Sequence, residues 1–454
     1  MTSHSPCHDL IGVGFGPSNL ALAIALDDIV KPRHPAFTWH FLEKQASFTW
    51  HGGMLLPDSD MQISFIKDLV SLRDPTSPYT FINYLHAKRR LEAFINQKTF
   101  FPSRIEFNDY LRWVATTFED RCSYGEEVIA VEPEAEGPRI TRLRVRSRTA
   151  AGQERVRRAR NLVLALGGTP RRPDVFAPLD GDARVFHSAR YLEGVRRLEQ
   201  SGRPCRRFAV VGGGQSAAEI FLDLQGRFQD AQVELIFRGT ALKPADDSPF
   251  VNEIFNPEFT DVIFRQQPAR RQGLVGEFRN TNYAVVDADL LQRIHGLLYQ
   301  QRVTGEHRHA LLSSRTIRRV AADAGGVLLT LESTLDAGLP DGAMETRRYD
   351  GVVLATGYER KIGGSLLDAL APWLTDTMLD RQYRLQTTSD FLPSIFVQGC
   401  SEATHGLSDT LLSVLPLRSK EIAEAVMDGL GRDVLPLHGF VPLAQRFTAA
   451  RHSS

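Results

Sequence analysis

Two stretches of this chain repeat one design. DLIGVGFGPSNLALAIAL spans residues 9–26, and RFAVVGGGQSAAEIFLDL spans residues 207–224. Each runs from short apolar segment to glycine cluster to apolar residues at helical spacing. That is strand, tight turn, helix, the opening of a dinucleotide-binding unit. A second pair echoes itself: RNLVLALGGTP (160–170) and YDGVVLATGYE (349–359) are apolar runs ending in small residues and glycine. Two such openings, each followed by such a strand, predict an α/β fold with two Rossmann-like dinucleotide-binding domains. The second is expected to be nested within a discontinuous first. The expected boundaries are residues 1–205 for the first part of the outer domain, 206–345 for the inner domain and 346–454 for the remainder.

In the first turn, Gly12, Gly14 and Gly16 form G-x-G-x-G, followed by Pro17. The first glycine permits the turn and the second lets backbone N–H groups approach a pyrophosphate, which the positive end of the helix dipole also favours. Proline is tolerated in a first helical turn because its missing N–H has no partner there. Downstream, TWHFLEK ends an apolar run at Glu43. A carboxylate there is placed to accept from ribose hydroxyls.

The second turn, with Gly212, Gly214, Gln215, Ser216 and Ala217, satisfies G-x-G-x-x-A. The following apolar run, VELIFR, ends in Arg238 where an acid would favour NAD; an arginine suits the 2′-phosphate of NADP. Two dinucleotide sites imply hydride transfer between two carriers, one of which must be a flavin. FAD at the first turn and NADPH at the second are therefore expected. A disulfide reductase of this plan needs a redox cysteine pair. Cys7, Cys122, Cys205 and Cys400 form no C-x-x-C motif, which leaves oxygen chemistry as the stronger branch and suits a reducing cytoplasm.

Lys+Arg and Asp+Glu number 54 each, so the formal net charge is +0. A balanced surface gives no general attraction to nucleic acid or anionic membrane. The apolar run from Ile11 to Leu26 is broken by glycines, Pro17, Ser18 and Asn19, and makes a poor membrane span. Residues 134–158 suggest a hairpin on a domain rim, and 332–348 a polar loop near a domain crossing; the tail beyond about 440 suggests fraying.

Longer stretches carry a more specific signal: MQISFIKDLVSLRDPTSPYTFINYLH, FFPSRIEFNDYLRWVA, KPADDSPFVNEIF, NTNYAVVD, LATGYER and THGLSDTLLSVLP. With the two glycine turns, they make the chain resemble the microbial N-hydroxylating monooxygenases of siderophore biosynthesis, the lysine/ornithine N-monooxygenase family, from about residue 8 to 425. The resemblance implies N-hydroxylation of a side-chain amine through a C4a-hydroperoxyflavin, using NADPH and O2. L-ornithine is the implied substrate, favoured by NTNYAVVD and HGLSDTLLS; L-lysine, a diamine, or a sulfur or carbonyl substrate are the alternatives. Carried over residue by residue, Lys67 holds the amino acid's carboxylate, and Asn252 and Asn282 hold its α-amino and carboxylate groups. Ser408 lies near the amine end. Residues from Glu43 to His51, with Gln62, Val128, His405, Gly406 and Leu407, serve the FAD, while Ser216 and Arg238 serve the NADPH. Chemistry centred on the flavin calls for no catalytic side chain and no metal. Homo-oligomerisation is left open.

Overall fold

The computed structural model describes residues 7–203, 205–335 and 344–432. Its first sheet is built on β1 (Cys7–Val13), flanked in parallel by β2 (Trp39–Glu43) and β6 (Glu154–Leu164). Beyond β2 lies β3 (Cys122–Tyr124); beyond β6 lie β5 (Arg139–Thr149) and β4 (Glu126–Glu136). Ile395–Val397 also pairs with β6 in parallel, returning the chain to this sheet near its end. β4, β5 and β6 form an antiparallel meander whose turns hold Gly137 and Gly152. The expected rim hairpin is thus a three-stranded extension of the main sheet.

Helix α1 (Pro17–Ala25) is buried over nearly its whole length, from Asn19 to Ala25. A helix apolar all round must be covered on every side. β1 and β2 cover it from the sheet, and the Leu415–Arg432 helix packs along its outer side.

A second, wholly parallel sheet has the order 310–312, 232–236, 207–211, 351–354, 185–187. The Gln215–Arg227 helix makes the crossover from the central 207–211 strand to its neighbour 232–236. A three-stranded antiparallel sheet, Arg315–Asp323, Gly326–Ser333 and Met344–Tyr349, packs against it. The pairing corrects the sequence-based boundaries at 205 and 346. Val185–His187 and Gly351–Leu354, both assigned to the outer domain, are strands of the inner sheet. The reason is physical: strands buried on both faces read as continuous apolar runs, which do not declare their sheet. Val352 pairs in register with Ala209, whereas Leu162 pairs with Ile11. Within the expected 332–348 loop, residues from Met344 onward form a strand; 336–343 and the tail beyond 440 lie outside the described residues.

The two echoing segments meet at their glycine ends. Thr169–Pro170 pairs antiparallel with Tyr358–Glu359, so the two connections between the sheets run side by side. A Cβ on Gly168 would come within 2.6 Å of the Tyr358 Cβ, which makes this crossing a place for glycine.

Candidate functional site

The first glycine turn is shaped by close packing on one side and open space on the other. A Cβ on Gly12 would fall 2.3 Å from the Phe41 ring, and Gly14 (φ +83°) would place one 2.5 Å from the Ala165 carbonyl oxygen. A Cβ on Gly16 would meet nothing within 4 Å. Gly16 is also the N-cap of α1, with no side chain satisfying the first-turn N–H groups. Open space beside unsatisfied donors fits a phosphate-bearing ligand such as a dinucleotide. Glu43 is buried at the end of β2; its Oε2 accepts from Phe15 N at 2.7 Å and its Oε1 from Gln45 N at 2.8 Å. The carboxylate therefore braces the turn itself, and each oxygen keeps a lone pair for a further donor.

His51 takes a left-handed backbone (φ 51°) and packs edge-on against Trp50, with Tyr358 beyond. Enclosure, with the Arg104 and Arg360 guanidiniums, holds the imidazole neutral, at about 4. Val128 sits at a bulge in β4 with its side chain in the core cluster that holds Val13 and Leu42.

The second turn follows the same plan. Gly212 takes φ +149° and a Cβ there would lie 2.3 Å from the Ala355 carbonyl oxygen; Gly214 caps the Gln215–Arg227 helix without a side-chain cap. Ser216 lies in that helix's first turn, half-buried, and Arg238 is exposed two residues past the 232–236 strand. Gln215 reaches across the turn: its Nε2 donates to Asp287 Oδ2 (3.0 Å) and Glu219 Oε1 (3.1 Å), and its Oε1 accepts from Asp287 N (2.9 Å).

Segments distant in sequence converge here. A Cβ on Gly214 would approach Ala284 at 3.6 Å, so the Asn282 segment abuts the second glycine turn. The Tyr283 hydroxyl donates to Glu402, joining that segment to the Glu402–His405 helix. The Glu253–Phe255 turn, next to Asn252, packs against the Leu407–Thr410 turn that holds Ser408. The Gln62 amide donates to Asp287 Oδ1 at 3.1 Å. Asn252 uses one amide hydrogen on the Asp247 carbonyl (2.8 Å), and Asn282 ends the Arg279–Thr281 turn. Ser408 is buried within its 3₁₀ turn rather than capping a helix.

Lys67 is half-buried, and among the described residues its ammonium forms no ion pair or hydrogen bond. Its loop is set by Asp68, a residue the motifs did not single out. That buried carboxylate accepts from Val70 N (2.9 Å), Ser71 N (2.7 Å) and Phe81 N (2.8 Å), and from the Ser71 hydroxyl (2.8 Å). Burial pushes its pKa up despite those donors.

His405 is buried. Its ring stacks on Tyr383 at 4.1 Å and touches Phe264; its nitrogens meet the Thr404 hydroxyl at 2.8 Å and the Arg381 carbonyl at 3.4 Å. Burial drops its pKa to about 4. Gly406 turns the chain at φ +88°, and Leu407 is buried.

A second group escaped sequence reasoning. Arg418 is buried, with Nε donating to Gln398 Oε1 (3.2 Å), Nη1 to the Asp409 carbonyl (2.6 Å) and carboxylate (2.9 Å), and Nη2 to Ser18 Oγ (2.9 Å). Gln398 in turn donates to Asn19 Oδ1 at 2.9 Å, and Asn19 donates to the Gly14 carbonyl at 2.6 Å. The first glycine turn is thereby tied to the Ser401–Asp409 segment. Nothing local marks Arg418, one of several charged residues in the Leu415–Arg432 helix.

Residues 6–360 match the family described as L-lysine 6-monooxygenase/L-ornithine 5-monooxygenase. Over 430 residues the chain is 52% identical to the L-ornithine N(5)-monooxygenase of Pseudomonas aeruginosa, covering 94% of this chain and 96% of that protein. The solved structure of ornithine hydroxylase (PvdA) from Pseudomonas aeruginosa superposes with a TM-score of 0.88 at 51% identity, covering 94% of this chain and 100% of that one. That of Kutzneria sp. 744 ornithine N-hydroxylase, KtzI-FADred-NADP+-L-orn, superposes with a TM-score of 0.86 at 37% identity, covering 93% and 99%. On the family match and this identity over nearly its whole length, the chain belongs to the L-lysine 6-monooxygenase/L-ornithine 5-monooxygenase family.

Proposed function

We propose that the chain N-hydroxylates the side-chain amine of L-ornithine, with FAD as resident cofactor and NADPH and O2 as co-reactants. One O2, one NADPH and one proton are consumed, yielding N5-hydroxyornithine, NADP+ and water. The product is a hydroxamate precursor of the siderophore type. Bound FAD supplies hydride acceptance from NADPH and, with O2, oxygen transfer to the amine nitrogen. The relatives above, named for ornithine and carrying FAD, NADP+ and ornithine in the Kutzneria enzyme, support this reading.

The chain's own residues bind, orient and desolvate. The observation that carries the assignment is Lys67: a half-buried lysine whose ammonium has no partner among the described residues, in the segment whose Gln62 reaches the second unit. An ammonium so placed pairs with a carboxylate that arrives with the substrate. Asn252 and Asn282 hold the amino-acid head, which fixes the tail nitrogen by distance. Anchoring a remote group spends binding energy on orientation at the reacting centre. The buried Ser408 turn excludes water at the tail, and desolvation lowers the amine's pKa toward the neutral, reactive form. Gly12, Gly14, Gly16, Pro17, Glu43, His51, Gln62, Val128 and His405–Leu407 serve the FAD; Gly212, Gly214, Gln215, Ser216 and Arg238 serve the NADPH.

We assign the protein to the cytoplasm. The four cysteines are free, and among the described residues no helix is long and apolar enough to cross a membrane. The test of function is to supply FAD, NADPH and, separately, L-ornithine, L-lysine and putrescine, and to measure N-hydroxylated product. Product from ornithine at the highest kcat/KM is expected. Product from lysine or putrescine but none from ornithine overturns the assignment.

A further inference from the structure

Asp287 closes the NTNYAVVD stretch, yet the ligand contacts above leave it without a role. It is the N-cap of the Ala288–Thr304 helix, where an aspartate ordinarily accepts from its own helix's first-turn N–H groups; here its side chain makes no such bond. Its two oxygens instead go to two glutamines. Oδ1 accepts from Gln62 Nε2 (3.1 Å), in the irregular segment before Lys67, and Oδ2 accepts from Gln215 Nε2 (3.0 Å), the first residue of the helix after the second glycine turn. The Asp287 N–H donates to Gln215 Oε1 (2.9 Å), so the Gln215 amide is held from both sides.

The chain of bonds continues and returns to the first unit. Gln215 Nε2 also donates to Glu219 (3.1 Å), and Arg104 donates to both Glu219 oxygens at 2.9 and 2.8 Å. Gln62 and Arg104 belong to the flavin-side unit; Gln215, Glu219 and Asp287 belong to the nicotinamide-side unit. The Arg104–Glu219 pair grips the second turn of the helix. Asp287 joins the first turn, beside Gly214, to the segment that carries Gln62.

We propose that Asp287 is a positioning residue that sets the second glycine turn against the flavin-side segment and thereby controls the rate of hydride transfer from NADPH to FAD. This rests on the two-cofactor reading given under the proposed function. A hydride moves only between carbons held close and aligned, so a displacement of about 1 Å at the turn is enough to cost orders of magnitude in rate.

The test uses Asp287→Ala in the full chain, read in two ways. In anaerobic stopped flow at saturating NADPH, the limiting rate of flavin reduction is expected to fall about 10-fold or more. FAD content per chain and reduction by dithionite should match the wild type. In the cofactor-free protein, amide hydrogen exchange at residues 215–219 and 60–63 is expected to speed up about threefold or more, as a lost constraint frees local opening. A limiting rate within about twofold of wild type, or unchanged exchange at both segments, overturns the proposal. Should the alanine variant fail to fold, Asp287→Asn takes its place, keeping the shape and one acceptor; it is held to the same unchanged-result criteria. A wild-type flavin that NADPH cannot reduce overturns the two-cofactor reading instead, so the two failures are distinct.

Discussion

The guanidinium of Arg418 and the carboxylate of Asp409 form an ion pair sealed from solvent, 2.9 Å apart, with side-chain exposures of 1% and 0%. Breaking one side leaves a buried charge without its counter-charge, which typically costs about 3–5 kcal/mol. Asp409→Asn keeps the shape and removes the charge, so it isolates this effect. Urea unfolding of the cofactor-free variant should show that loss, and the variant should retain less FAD because Arg418 also holds Ser18. A loss below about 1 kcal/mol would mean that the pair is not sealed as described.

Gly16 and Gly14 separate ligand space from protein space. Gly16 has an ordinary φ of −82° and open surroundings, so Gly16→Ala should leave the cofactor-free protein's Tm unchanged. The added methyl would sit where a pyrophosphate approaches, and FAD affinity should fall about 10-fold or more, a loss of about 1.4 kcal/mol. Gly14→Ala should instead lower the cofactor-free Tm, because its backbone is left-handed and the methyl meets a carbonyl. Calorimetry of both variants, with FAD titrations, checks the contrast. Equal melting of the two contradicts it.

Lys67→Ala removes the proposed carboxylate anchor and should raise KM for L-ornithine about 10-fold or more, the loss of one charge-assisted hydrogen bond. NADPH oxidation without substrate should stay measurable. Steady-state kinetics over ornithine concentration decide it; a normal KM with abolished flavin reduction would refute the role.

Arg238→Ala should raise KM for NADPH about 10-fold or more while changing that for NADH little, because only NADPH carries the phosphate that a guanidinium would bind. The ratio of kcat/KM for the two nucleotides is the readout. Equal losses with both would mean that Arg238 does not face the 2′ position.

Stability should fall on mild acidification. Burial holds His405, His40 and His309 each at about 4, against an unfolded value near 6.5. Between those pH values the unfolded chain binds protons that the native chain refuses, so stability rises with pH across this window. The contribution is fully present above about pH 6.5 and is lost as pH falls toward 4. Melting curves from pH 7 to pH 4.5 should show a falling Tm, and His405→Gln should make the slope shallower. A Tm that climbs on acidification contradicts the buried, neutral imidazoles.

The glycine turns were readable because their constraint is local: Gly12 must avoid Phe41 one strand away, and Gly14 needs a backbone few other residues adopt. Glu43 was readable by spacing, but not that its carboxylate braces Phe15 N. The strand Gly351–Leu354 was recognised as a strand and put in the wrong sheet, because an apolar run carries no address. Asp68 was invisible because its three backbone partners are set by the folded loop. Arg418 and Asp287 were invisible for another reason. Their partners Ser18 and Gln62 lie hundreds of residues away, and a lone arginine or aspartate in sequence reads as surface charge.

The burial of α1 sets an order on how the chain can be made. Strand β1 and α1 leave the ribosome long before the helix that covers α1, which begins at Leu415. All five strands of the inner sheet, from Val185 to Leu354, emerge before that helix. The inner unit can therefore close while the outer one still displays the apolar surface of Leu20–Leu26, and a nascent chain carries that sticky face until the Leu415–Arg432 helix emerges. Burying a greasy helix under one made hundreds of residues later makes the outer unit of this protein dependent on the late arrival of its cover.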